Sequence, residues 1–327
     1  MIGKAIEGFA ANNAGWPTRS QSGPVTVFQD RESKAITSLE TIAASHWQGP
    51  FADAEKSRAL GSLEHGKVVY FPKLSFILGE SYNALFSSLL ADQRVKNISY
   101  NPASGALKGT IAADRERMRL QTMMEAFSGA ASRLVLDLFP SYAGSIERAR
   151  TSYRPVEIAG REYSRLKDDR LLHIDAFPST PTQGRRILRF FSNINPSGKP
   201  RIWHIGEPFE QLAARFLPAL SRSKAPVAWL LAAIGATRGR RSAYDQLMLV
   251  LHNSAKRDAA FQESAPREEI AFPAGSSWLG FTDQVVHAAV AGQYALEQTF
   301  YLDIGAMAEP ASSPLRTLER MTRRKLC

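Results

Sequence analysis

The chain has 327 residues, 44% of them hydrophobic, which is enough to bury a large core, and its only cysteine is the terminal Cys327. That excludes a disulfide framework and a cysteine-rich metal centre, and it fits a reducing compartment. The net charge of +10 favours an anionic partner, while the lack of zinc-finger spacing, a basic zipper or an aromatic-rich RNA-binding strand argues against nucleic acid.

The opening MIGKAIEGFAANNAGWP shows no apolar core followed by a cleavage pattern, so no secretory signal is expected. Residues 1–150 read as an N-terminal α/β elaboration packed on a catalytic core. Within it, Lys67 to Leu78 alternates as a strand that enters a loop at Pro72, and Asn101–Gly105 is a turn. The following segment has apolar positions at helical spacing, as one long helix or two, with Met118, Met123 and Met124 expected in the core. His46 and His65 are expected to be surface or structural residues.

From Arg154 short apolar segments alternate with Gly, Pro and Asn turns: RPVEIAG, RLLHIDAF, RRILRFFSNINPSG, PRIWHIG, YDQLMLVLHN, EEIAFPAGSSWLGFTD, QVVHAAVAG and QYALEQTFYL. Read as strands, they predict an α+β, mainly β protein whose core, residues 151–310, is a two-sheet antiparallel barrel or jelly roll. A helical insert at about 207–235 interrupts it, with Phe209, Leu212, Ala213 and Phe216 on one helix face. The apolar run Ala225–Ala236 is about half the roughly 20 residues a spanning helix needs. Flanked by Lys224, Arg238, Arg240 and Arg241, it reads as a buried core helix or as a segment that sits on an anionic membrane surface. The basic tail, residues 311–327, reads as a surface helix or a loose end that could meet an anionic surface.

The chemistry concentrates in His173-Ile174-Asp175. On a strand, the period of two puts His173 and Asp175 on one face, and a histidine from a second strand would complete a facial set of two His and one carboxylate for iron. His204 and His252 compete for the third place. His287 is preferred because its segment gives a strand, turn and strand. Such an Fe(II) site uses a chelating reductant such as 2-oxoglutarate, whose far carboxylate calls for an arginine. Arg186 and Arg189 lie on opposite faces of one predicted strand, so only one of them can point inward, and the pattern leaves open which.

The stretch from Tyr153 to Glu210, with YDQLMLVLHN and FPAGSSWLGFTDQVVHAAVAGQYALEQTF, resembles the Kdo hydroxylase family, and the resemblance covers roughly Tyr70 to Leu302. Kdo is 3-deoxy-D-manno-oct-2-ulosonic acid, the acidic sugar of the lipopolysaccharide inner core. The resemblance implies a double-stranded β-helix, iron held by His173, Asp175 and His287, 2-oxoglutarate and O2 as co-substrates, and hydroxylation at C3 of the outer Kdo of Kdo-lipid A. Many related dioxygenases carry an arginine ten to fourteen positions after the distal histidine. Here that window holds Glu297, Gln298, Thr299, Phe300 and Tyr301, so weight falls on Arg186 or Arg189, with Gln298 and Thr299 as helpers. Arg154, Arg161, Arg165, Lys167 and Arg170, with Asp168 and Asp169, are the expected contacts of the acidic sugar. A cytoplasmic enzyme visiting the inner membrane face fits these features, with a protein side-chain hydroxylase or a non-catalytic glycolipid-binding barrel as alternatives. The sequence leaves the oligomeric state open.

Overall fold

Residues 38–92, 94–222 and 241–327 are described by a computed structural model. The expectations for residues 1–37 and for the Ala225–Ala236 run lie outside these residues. The described elements, in chain order, begin with β1 (Leu39–Thr41), α1 (Asp53–Glu64), β2 (Val68–Phe71), β3 (Ile98–Asn101), β4 (Ala106–Lys108), α2 (Asp114–Leu138) and β5 (Ile146–Arg154). They continue with β6 (Arg186–Asn193), β7 (Arg201–Ile205), α3 (Phe209–Arg222), α4 (Ala243–Arg257) and α5 (Ala259–Ser264). The last are β8 (Glu268–Phe272), β9 (Ser277–Phe281), β10 (His287–Ala291), β11 (Ala295–Leu302) and α6 (Pro314–Thr322).

Eight strands form one sheet in the order β1-β2-β9-β6-β11-β5-β3-β4, and three form a second in the order β10-β7-β8. An antiparallel bridge between His173 and His287 adds a further row beside β10. The two sheets close face to face as a double-stranded β-helix. Phe191 of the large sheet fills the gap, its ring 4.9 Å from that of Trp203 on β7 and 5.3 Å from that of Trp278 on β9. The boundary placed near residue 150 falls inside β5, and β2 pairs with β9, so strands from before residue 150 belong to the same sheet as the later ones.

Alternation along the strands sorts residues between two interiors. On β6, Leu188 and Phe190 face α2 and join Met123, Met124 and Phe127 in a buried cluster, whereas Arg189 and Phe191 face the second sheet. Each large side chain of this kind contributes about 1.5–3 kcal/mol when fully buried. The helical periodicity of residues 114–138 produces a single helix, α2, with Met123 and Met124 buried. Met118 differs from expectation: it lies in the first, solvent-facing turns and is 69% exposed.

Three further expectations are corrected. YDQLMLVLHN is the body of α4, not a strand. Ser242 and Asp245 form a capping box at its start, and Tyr244, Met248, Leu251 and Ala255 are buried at helical spacing. The insert therefore extends through α5 to Ser264 instead of ending near residue 235. The tail is neither loose nor a separate surface helix: Leu315 and Leu318 of α6, with Leu326, pack into the cluster formed by α3 and α4.

Candidate metal centre and its pocket

Ile174, between the two residues of the His-x-Asp motif, is fully buried in the α3–α4 cluster, and this turns His173 and Asp175 toward the barrel interior. The backbone is held on both sides. His173 and His287 exchange N–H···O bonds of 2.9 and 2.8 Å, and the Asp175 amide donates to Thr282 O at 2.7 Å. One ligand atom from each of His173, Asp175 and His287 falls in a group whose members all lie within 4.8 Å of one another.

The tautomers suit a metal. His173 Nδ1 lies 2.7 Å from Leu171 O, and His287 Nδ1 lies 2.8 Å from Val285 O. A carbonyl only accepts, so each Nδ1 carries the hydrogen and each Nε2 keeps a lone pair. Burial lowers the pKa of both imidazoles, which keeps them neutral as metal ligands must be. The Trp203 ring stacks on that of His287, 5.0 Å away and tilted by 20°, and fixes its plane. Burial opposes ionisation of Asp175, but the Arg189 guanidinium beside it outweighs that and holds the carboxyl below the usual carboxylate range.

These ligands sit in a pocket of about 770 Å³ whose wall carries eight Lys or Arg against four Asp or Glu. Arg201 Nε and Trp203 Nε1 are buried in its wall without a hydrogen-bond partner, and Asp175 Oδ2 and Arg189 Nε make ion-pair contacts there but no well-aligned hydrogen bond. Such atoms are costly unless a ligand meets them, so the donor set fits both a metal and an anionic chelator.

The structure separates the two arginines of β6. Arg189 points inward, with NH1 3.2 Å from Asp175 Oδ2 and Nε 3.4 Å from Glu297 Oε1. Arg186 is corrected out of the pocket: fully buried on the opposite face, it pairs with Asp283 at 2.8 Å and donates to Gln284 Oε1 at 2.6 Å. Thr299 lines the pocket, whereas Gln298 points to the other face and bonds Thr151 Oγ1 at 2.6 Å.

Of the residues expected to meet the sugar, Arg154, Lys167 and Asp169 line the pocket. Arg154 is bound to Glu297 at 2.8 Å and lies 3.7 Å from Asp169. Arg161, Arg165 and Arg170 are not in its wall. Arg161 lies over Tyr163, Arg165 donates to Lys256 O, and Arg170 closes on Asp168 at 2.8 Å. His204 pairs with Glu269 away from the pocket, and His65 is exposed beside Glu309, as is His46 without that partner. His252, once a rival ligand, lines the pocket from α4 but is not in the ligand group.

Sequence reasoning missed Lys96, Arg201 and Lys256. Arg201 stands out because its side chain is buried and its NH1 donates to the Gly292 carbonyl at 3.3 Å. Burial, and then Arg154, lower its pKa to about 9. Gly292, at φ 119°, is required at this point, since a Cβ there would come within 2.9 Å of Arg201 Cα. The alternation of Arg201 with Trp203 in RIWHI, which puts both on one strand face, is the sequence signal for Arg201.

A family model for 3-deoxy-D-manno-oct-2-ulosonic acid (Kdo) hydroxylases matches residues 46–325. Solved structures of the Kdo hydroxylase KdoO, described as a non-haem Fe(II) α-ketoglutarate-dependent dioxygenase, are similar to this chain. The complex with α-ketoglutarate and Fe(III) superposes with a TM-score of 0.83 at 43% identity, covering 88% of this chain and 97% of that one. The apo form and the cobalt(II) complex give the same TM-score and coverage at 44% identity. No curated protein sequence matches.

Proposed function

The chain belongs to the Kdo hydroxylase family, and from that premise we propose that it is an Fe(II)- and 2-oxoglutarate-dependent dioxygenase that hydroxylates C3 of the outer Kdo of Kdo-lipid A. The observation that carries this reading is the group of His173, Asp175 and His287, with three ligand atoms within 4.8 Å of one another in a cationic pocket. Iron held there would let O2 act as the oxidant and 2-oxoglutarate as the co-reductant: one oxygen atom of O2 would convert C–H to C–OH, and the other would enter the succinate formed, with carbon dioxide, from 2-oxoglutarate.

The protein's own residues do the positioning. His173 and His287 offer Nε2, because their Nδ1 hydrogens are tied to backbone carbonyls. Asp175 offers one carboxylate oxygen, and Arg189, bridging Asp175 and Glu297, fixes how that carboxylate is turned. Among the described residues no carboxylate is in hydrogen-bonding contact with Arg201, which makes it the residue best placed to take the far carboxylate of 2-oxoglutarate, with Thr299 on the same wall. Phe191 and Trp203 form the apolar side of the pocket and keep the reacting carbon away from bulk water.

The preference for an anionic glycolipid rests on charge. The pocket carries twice as many cations as carboxylates, and the whole chain has a net charge of +10. Work at the cytoplasmic face of the inner membrane, with the protein bound peripherally, is part of the same proposal. No helix among the described residues is long and apolar enough to cross a bilayer, and Ile77, Leu89, Ile111 and Met118 are exposed apolar side chains available for shallow contact.

Anaerobic loading with Fe(II), followed by oxygen and 2-oxoglutarate with or without Kdo-lipid A, tests the reading through succinate and lipid mass. One oxygen atom gained by the lipid, coupled to succinate and lost in Asp175→Ala, is the expected result. Succinate without lipid oxidation would move the substrate to another acceptor, such as a protein side chain. Flotation with anionic vesicles tests the peripheral contact.

A further inference from the structure

Helix α4 presents two residues to the pocket one turn apart, His252 and Lys256, so both lie on a single helix face beside His173. The His252 ring is 5.2 Å from that of His173 and nearly perpendicular to it, at 82°. Its Nδ1 lies 2.7 Å from Ile174 O. Nδ1 therefore carries the hydrogen, and Nε2 is a lone-pair acceptor outside the metal's ligand group.

Lys256 has a side chain only 1% exposed, and its Nζ donates to Leu166 O at 3.3 Å. Its nearest carboxylate is Asp169, 3.7 Å away, and that carboxylate is already taken by Lys96 at 2.7 Å and faced by Arg154 at 3.7 Å. Arg154 is also paired with Glu297 at 2.8 Å, so the two lysines are left to share the single Asp169 carboxylate, and this wall stays positive. Buried charge of this kind is costly unless a further anion offsets it. Arg189 and Arg201 stand on strands of the two sheets, whereas Lys256 is supplied by the helical insert, so the pocket has two separate cationic walls.

We infer that the α4 face is the subsite for the acid end of the substrate, in which Lys256 and Lys96 take a sugar carboxylate while His252 Nε2 accepts a hydroxyl of the same sugar. This rests on the Kdo-lipid A reading above and adds which wall recognises the acid. The barrel arginines are left to 2-oxoglutarate, so the two anions are sorted by wall.

The test uses the full-length enzyme with Kdo-lipid A and with the same lipid whose Kdo carboxylate is methyl-esterified. The parent enzyme should prefer the acid by about tenfold or more in kcat/KM, the size of one charge-assisted hydrogen bond. In Lys256→Met the KM for the acid lipid should rise about tenfold and the preference shrink to about threefold or less, while the KM for 2-oxoglutarate moves less than about twofold. His252→Phe should lower kcat/KM for acid and ester alike and keep the preference. Lys96→Met reports on the same carboxylate from a more exposed position and decides the matter if Lys256→Met does not fold. Retained acid preference in the lysine variants, or a shift that falls on 2-oxoglutarate instead, overturns the inference. A parent enzyme that makes succinate yet oxidises neither lipid overturns the Kdo-lipid A reading first, before any variant is compared, and the inference with it.

Discussion

On the face of β6 turned to α2, Leu188 and Phe190 pack among Met123, Met124 and Phe127 in an apolar cluster, whereas one residue along, Arg189 looks into a pocket where four buried polar atoms lack hydrogen-bond partners. The outer interior satisfies most of its own groups, Ser128 Oγ and Glu125 Oε2 on α2 being the exceptions. Even its one arginine, Arg186, is matched by Asp283, Gln284 and the Phe281 ring beneath it at 3.8 Å. The inner interior is left with unmatched charge and lone pairs that call for ligands. One sheet thus separates residues that set stability from residues that set chemistry, and substitutions on its two faces should fail in different ways.

The largest separation should come from His287→Ala. Hydroxylation is expected to fall on the order of a thousandfold or more, with loss of bound iron measured by metal analysis. The thermal midpoint of the metal-free protein should change little by comparison. Arg186→Met should do the reverse, since it leaves Asp283 buried without its cation. A loss of about 3–5 kcal/mol in urea unfolding is expected. A variant as stable as the parent would break the comparison.

Phe127→Leu, on the α2 side, sharpens it at smaller scale. Stability should drop by about 1 kcal/mol, while kcat per folded molecule is retained. Asp169 provides a pH test. Burial disfavours its charge, but Lys96, Arg154 and neighbouring cations outweigh that and hold its carboxyl well below the ordinary value of 3.8. Its stabilising contribution is therefore present above that value and lost as pH falls toward the lower folded value. Asp169→Asn should be less stable near neutrality and lose less on acidification, with a difference on the order of 1 kcal/mol between pH 5 and pH 3.5. Met118→Gln, at an exposed position, should stay within about 0.5 kcal/mol of the parent.

The inner face was partly legible in the sequence. The His-x-Asp period of two and the later His287 predicted a group that the backbone does bring together. The choice between Arg186 and Arg189 was not legible, because alternation says that they point apart and not which way is in. α4 was misread for a related reason: Leu247, Met248, Leu249, Val250 and Leu251 form a continuous apolar run without a decisive period. The Ser242–Asp245 box that starts the helix was the discriminating signal. Lys96 and Lys256 could not have been found at all. They lie 160 positions apart in the sequence and share one carboxylate only after the insert folds back onto the barrel.

The order of the strands in the large sheet bears on how the chain comes to be folded. β11 lies between β5 and β6, yet it is made last of the three, and Ala295 finds its partner in Asn193, about a hundred residues earlier. While the chain is being synthesised, the inner edges of β5 and β6 have nothing to pair with, and open edges of this kind invite pairing with other chains. His287 emerges only shortly before β11, so iron cannot template the early collapse. The metal must be loaded into a barrel already closing, and slow synthesis at low temperature should raise the yield of folded enzyme more than added iron does.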